Sequence, residues 1–244
     1  MAGVDLPRRL LAEFVGTALL VTVVVGSGIA AANLSADDVG LQLLENSTAT
    51  VFGLAVLIVL FGPVSGAHFN PVVTAGDWLL GRRSATGIAG GDAVAYMAVQ
   101  VIGAVTGAWL ANVMFDRRVF EVATRERITP GHLVGEVVAT AGLIAVIFTL
   151  ARTGRAGLSA AAVGAYIGAA YWFTSSTSFA NPAVTVGRMF SDSFAGIAPG
   201  SVPGFVVAQI VGGAVGLVLI RVLYPDAAKT ADDVVVPHRA QEIS

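Results

Sequence analysis

The chain repeats itself in three places, in the same order. AEFVGTALL from Ala12 is matched by GEVVATAGL from Gly135, SGAHFNPVVTAG from Ser65 by TSFANPAVTVG from Thr177, and AVQVIGAVTGA from Ala98 by VAQIVGGAVGL from Val207. The aligned pairs Glu13 and Glu136, Asn70 and Asn181, and Gln100 and Gln209 stand 123, 111 and 109 residues apart, so the chain reads as two related halves. Each half holds three apolar runs, near the roughly 20 residues that a bilayer crossing needs. They are residues 10–33, 48–62 and 88–115, then 132–151, 158–175 and 202–223. An odd number of crossings per half forces the second half into the membrane upside down.

Two more apolar stretches, 70–80 and 181–190, are too short to cross. At 1.5 Å per residue each makes roughly 15 Å of helix, half of a ~30 Å hydrocarbon core. In inverted halves they enter from opposite faces and meet near the midplane. Irregular backbone at that depth must be buried in protein or line a wet cavity. The expectation is an all-α membrane protein: six transmembrane helices plus two re-entrant half-helices, in an inverted three-helix repeat.

Composition agrees. Charged residues are 12% of the chain and hydrophobic residues 55%, where a soluble domain carries about a quarter charged residues. No basic run of nucleic-acid-binding size exists. With no cysteine, disulfides, thiolate metal sites and cysteine nucleophiles are excluded. The run after Arg8 and Arg9 is too long for a signal h-region, so it reads as a permanent helix. A cytoplasmic N-terminus (1–9) puts Arg8, Arg9, Arg82, Arg83, Arg152, Arg155, Arg221, Lys229 and Arg239 inside. Arg117, Arg118, Arg125, Arg127 and Arg188 then fall outside. Repeats at 10–115 and 132–224 flank an extracellular loop at 116–131, and the polar tail 225–244 reads as cytoplasmic and disordered.

Both short helices begin with Asn-Pro, at Asn70-Pro71-Val72 and Asn181-Pro182-Ala183. Proline suits the first helical position, and asparagine before it is a good N-cap. Two positive helix ends then face each other at the centre, hostile to a cation. The asparagine amides can donate to a neutral hydroxylic solute, and the preceding segments can offer backbone carbonyls. Glu13 and Glu136, ionisable groups inside spans, are expected to brace the re-entrant loops. Gln100 and Gln209 read either as caps on loop backbone or as links to another helix. His68 is expected to line the inner half of the path, with loop packing the alternative. Arg188, seven residues after Asn181, returns to nearly the same helix face and reads as an outer-mouth or headgroup arginine. The pairs Gly87/Gly91, Gly103/Gly107, Gly164/Gly168 and Gly212/Gly216 permit close crossings.

On AEFVGT, SGAHFNP, the glutamine of YMAVQVIGAVTG, and ANPAVTVG, the sequence resembles the aquaporin, or major intrinsic protein, family over about residues 8–224. The resemblance implies a passive channel with no cofactor, a pore in every subunit, a homotetramer in membrane lipid and a plasma-membrane location. It also carries over an outer constriction at Thr50, Ala169, Ser178 and Val184. Family members usually have alanine where Val72 stands, and arginine where Val184 stands. A constriction of Thr, Ala, Ser and Val is small, neutral and wide. The stretch YIGAAYWFTSSTSFANPAVTVGRMFSDSFAGI resembles the bacterial aquaporins associated with arsenic resistance. That implies water plus larger uncharged solutes such as glycerol, arsenite or protonated methylarsenicals. The alternatives are a narrow water-only channel and a secondary transporter, which would need an ion-binding carboxylate or proton relay near the midplane.

Overall fold

The computed structural model describes residues 4–82 and 87–224. Residues 1–3, 83–86 and 225–244 lie outside the described residues, and with them fall the tail and parts of the N-terminus and of the charge count above.

Among the described residues eight α-helices follow one another: α1 Leu6–Leu34, α2 Val39–Ser65, α3 Pro71–Gly81, α4 Gly90–Met114, α5 Pro130–Arg152, α6 Ser159–Phe173, α7 Pro182–Arg188 and α8 Val202–Leu223. Six of the segments are long and apolar enough to cross a membrane. Side-chain caps fix several starts. Asp5 accepts from Arg8 N at 3.3 Å, Asp38 from Leu41 N at 2.9 Å and Thr129 from His132 N at 3.1 Å. Gly66, with φ of 90°, ends α2 in the left-handed region that favours glycine.

Several boundaries differ by a few residues from the sequence expectation, and the largest difference is the start of α2. Helix α2 begins at Val39 rather than residue 48, because its first turns carry Gln42, Glu45 and Asn46, which break an apolar run without breaking a helix. All but Glu45 Oε2 among their buried polar atoms find partners inside the bundle. Gln42 Nε2 donates to Ser35 O at 2.8 Å, Ser35 Oγ to Glu45 Oε1 at 2.8 Å, and Asn46 Nδ2 to Val24 O at 2.9 Å. Helix α7 has seven residues and ends at Arg188, short of residue 190.

The two halves pack alike. Helix α1 lies against α4 and α2, as α5 lies against α8 and α6, while α2 and α6 join the halves. Each half-helix also packs on the last span of the opposite half, α7 on α4 and α3 on α8, so the halves interlock. The tight crossings rest on glycine at equivalent places. A Cβ on Gly103 would stand 2.5 Å from Phe14 O, and one on Gly212 2.5 Å from Val137 O. Gly107 and Gly216 repeat the approach one turn on, against Ala18 and Ala141. Gly164 and Gly168 make the α2–α6 crossing against Val51. The Gly87/Gly91 pair makes no such crossing: Gly87 sits in the loop before α4 at φ of 77°, and nothing lies within 4 Å of a Cβ on Gly91.

These distances separate two kinds of glycine. Gly103→Val or Gly212→Val forces a side chain into a neighbouring backbone carbonyl and should lower stability by about 3 kcal/mol or more, beyond ordinary overpacking. Gly91→Ala should be neutral or slightly stabilising. Thermal melts in detergent check the contrast, and equal melting of Gly103→Val and Gly91→Ala would contradict it.

Candidate functional site

The loops that precede α3 and α7 reach the centre of the bundle in an unusual backbone form. The sequence suggests extended segments, but Ala67 and Phe69 have φ of 48°, and Ser178 and Ala180 have 49° and 47°. Each such non-glycine residue costs on the order of 1–2 kcal/mol. The cost is offset by the two buried glutamates. Glu13 accepts from His68 N at 2.9 Å, Phe69 N at 2.8 Å and Ser65 Oγ at 2.6 Å. Glu136 accepts from Phe179 N and Ala180 N, both at 2.9 Å. Hydrogen bonds to a charged group contribute about 1.5–3 kcal/mol each.

Gln100 and Gln209 stand behind these carboxylates rather than on the loop backbone. Gln100 Nε2 donates to Glu13 Oε2 at 2.7 Å and Thr74 Oγ1 at 3.0 Å. Gln209 Nε2 donates to Glu136 Oε2 at 2.6 Å and Thr185 Oγ1 at 2.8 Å. The two supports are the same device, once per half.

At the centre the half-helices exchange hydrogen bonds. Asn70 Nδ2 donates to Ala180 O at 2.8 Å, and Asn181 Nδ2 donates to Phe69 O at 2.7 Å. Each Oδ1 caps its own helix: Asn70 accepts from Val72 N at 3.0 Å, and Asn181 from Ala183 N at 3.0 Å and Val184 N at 3.2 Å. An amide nitrogen carries two hydrogens, so each asparagine keeps one donor beyond the cross-bond. Pro71 and Pro182 follow as first helical residues, leaving no further N–H to satisfy there.

A cavity of about 80 Å³ runs past this pair, and Asn70 and Asn181 both line it. One wall is apolar, formed by residues such as Leu20, Leu54, Leu143 and Ile147. The other carries His68, the two asparagines, Ser178 and the re-entrant backbone. His68 Nδ1 lies 3.1 Å from Thr74 Oγ1, whose own proton goes to Asn70 O. His68 Nδ1 is therefore the donor, and on a neutral ring Nε2 is left as an acceptor.

Of the four residues expected at an outer constriction, Thr50, Ser178 and Val184 line the cavity, each no more than 5% exposed. Ala169 does not. It is exposed on the outer surface of α6, and Tyr171 lines the cavity in its stead. The reason is helical phase. The inward residues of α6 are Ser159, Val163, Ile167 and Tyr171, a four-residue step, and a position two residues off that row points away. That step was the available signal for Tyr171. Tyr171 Oη lies 3.2 Å from Thr50 Oγ1, which donates to Asn46 O at 2.8 Å. The tyrosine proton therefore goes to Thr50, leaving the tyrosine oxygen as an acceptor.

Arg188 also lines the cavity, at 2% exposure. Its Nε donates to Ala195 O, and its guanidinium lies 3.4 Å from the centroid of the Phe179 ring. Arg127, from the loop between α4 and α5, approaches the same ring at 5.3 Å. It is pinned by hydrogen bonds to Gly196 O at 2.7 Å and Phe194 O at 2.9 Å. Burial, then the neighbouring Arg188 and Arg125, pulls the Arg127 pKa down to about 8. Nothing in the sequence marks Arg127 as buried, because a loop arginine carries no periodicity.

If the asparagine exchange holds the centre, its removal has unequal effects. Asn181→Leu leaves three buried groups without a partner and Asn70→Leu two, at about 1–3 kcal/mol each. Asn181→Leu should therefore melt lower than Asn70→Leu, and both should conduct solute poorly in proteoliposomes. Wild-type melting and flux in both variants would sink this assignment.

Comparison with known proteins agrees with this architecture. Residues 1–180 match the family described as Major intrinsic protein (MIP). The chain is 46% identical over 227 residues to the aquaglyceroporin AqpS of Rhizobium meliloti, covering 93% of this chain and 94% of that protein. It is 33% identical over 174 residues to aquaporin Z of Photorhabdus laumondii, covering 64% and 71%. The X-ray structure of the aquaglyceroporin from Plasmodium falciparum superposes with a TM-score of 0.67 at 21% identity, covering 91% of this chain and 99% of that one, a likeness of fold. The two interlocked halves, the paired Asn-Pro helices and these relatives lead to one conclusion: the chain belongs to the major intrinsic protein family, a multi-pass membrane channel rather than an enzyme.

Proposed function

We propose that this channel passes water together with larger neutral hydroxylic solutes, of glycerol size, and extends to metalloid acids such as arsenite or protonated methylarsenicals. The observation that carries the reading is the make-up of the outer end. Val184 supplies an apolar surface where a guanidinium would narrow the path, and the nearest cavity-lining arginine, Arg188, stands one helical turn farther along α7. A polyol has a hydrocarbon edge and a hydroxyl edge. The cavity offers an apolar wall to the first and a stripe of amides, carbonyls and His68 Nε2 to the second. The relative named an aquaglyceroporin favours the same solute class. Tyr171 makes the outer end narrower than a Thr, Ala, Ser and Val ring would be. Its bond to Thr50 draws the hydroxyl toward the wall.

Cations are turned back by the positive ends of α3 and α7, which meet at Asn70 and Asn181. Glu13 and Glu136 act as braces, with Gln100 and Gln209 holding the carboxylates. In this reading the repeats 10–115 and 132–224 are joined by an extracellular loop, the N-terminus is cytoplasmic, and the chain works as a homotetramer in the plasma membrane. Outward apolar side chains such as Phe52, Val56, Val59, Val207 and Val218 meet lipid or a neighbouring subunit.

Val184→Arg tests the solute assignment. It should slow glycerol uptake into proteoliposomes by about tenfold, roughly 1.4 kcal/mol on the barrier, and leave osmotic water flux within about twofold. A wild type that passes only water, or a variant with unchanged glycerol uptake, would overturn the assignment.

A further inference from the structure

Arg188 is almost wholly buried, yet it uses only part of its hydrogen-bonding capacity. Its Nε is bonded to Ala195 O, while among the described residues neither Nη group has a protein hydrogen bond. Nor do Arg188, Arg127 and Arg125 form an ion pair there. Glu136, the nearby buried carboxylate, is committed to Phe179 N, Ala180 N and Gln209. The C-terminal position of Arg188 on α7 and the Phe179 face both favour a cation. They satisfy its charge in part but none of its remaining N–H groups. A buried guanidinium left in that state is costly unless something in the cavity completes it.

The same end of the cavity holds the opposite kind of group. Tyr171 Oη has given its proton to Thr50 and can only accept. A guanidinium edge matches two oxygens of a carboxylate or phosphonate. An acceptor oxygen on the other side matches a hydroxyl.

We propose that Arg188 and Tyr171 frame a binding station at the outer mouth for a small singly charged oxyacid that keeps one hydroxyl. Its anionic oxygens meet the Arg188 Nη groups, and its hydroxyl donates to Tyr171 Oη. The second guanidinium at Phe179, from Arg127, adds positive potential without competing for the same edge, because its own donors hold the loop carbonyls of Phe194 and Gly196. Such an anion enters the mouth and is held there, slowing neutral solutes behind it. This station rests on the channel reading, because the anion is detected through the flux it obstructs.

The test is glycerol uptake by proteoliposomes carrying the full chain, at mildly acidic pH, with added methylphosphonate. Methanesulfonate, of similar shape and charge but without a hydroxyl, is the comparison, and sodium chloride matches the ionic strength. Each inhibition is normalised to the same protein's uninhibited rate. Methylphosphonate should inhibit the wild type at lower concentration than methanesulfonate. Arg188→Met should raise the half-inhibiting concentration of both by about tenfold or more, and Arg188→Lys by less, since it keeps the charge but loses the planar edge. Tyr171→Phe should abolish only the advantage of methylphosphonate. If Arg188→Met fails to assemble, Arg188→Lys and Tyr171→Phe carry the same comparison. No inhibition beyond sodium chloride, or half-inhibiting concentrations unchanged in the variants, would overturn the station while leaving the channel reading intact. An absence of wild-type glycerol uptake above empty liposomes would instead overturn the channel reading.

Discussion

Two hydrogen bonds at the middle of the bundle set the terms for the rest of the structure. Asn70 gives one amide hydrogen to Ala180 O, and Asn181 gives one to Phe69 O, so each half of the chain completes the other's re-entrant loop. In a hydrocarbon interior an unsatisfied backbone group costs several kcal/mol. The loops can therefore leave helical geometry there only because each has a partner from the opposite half. The same asparagines cap the half-helices, which places two positive helix ends and two spare amide donors beside the cavity.

Holding that exchange in place needs rigid support, and the repeat supplies it twice. Glu13 and Glu136 take up loop N–H groups that the left-handed residues turn inward, and Gln100 and Gln209 fix the carboxylates from α4 and α8. Those two helices can stand so close because Gly103 and Gly212 present no side chain to Phe14 O and Val137 O. A glycine at a crossing, a glutamate behind it and an asparagine at the centre thus form one mechanical chain. Breaking any link should loosen the pore-facing groups, even from a residue that no solute touches.

Most of this chain was legible in the sequence because it is written twice. The matching of Glu13 with Glu136, Asn70 with Asn181 and Gly103 with Gly212 marks residues whose surroundings recur. What escaped was local. The start of α2 was hidden by Gln42, Glu45 and Asn46, since an apolar run is a rule for lipid-facing surface and these residues face protein. The family resemblance carries the constriction onto Ala169, whereas the four-residue step from Ser159 to Tyr171 marks the inward face. The burial of Arg188 and Arg127 against Phe179 depends on where the loop carbonyls of Phe194, Ala195 and Gly196 come to rest, and no spacing encodes that.

Everything above comes together in a passive path for neutral solutes with a cation barrier at its middle. The most direct measurement records glycerol uptake and membrane current together in proteoliposomes, over a range of glycerol concentrations and with imposed proton and sodium gradients. Uptake through such a path should rise in proportion to concentration, ignore both gradients and carry no current above empty vesicles. Uptake that saturates, runs uphill on an ion gradient or moves charge with the solute would contradict it.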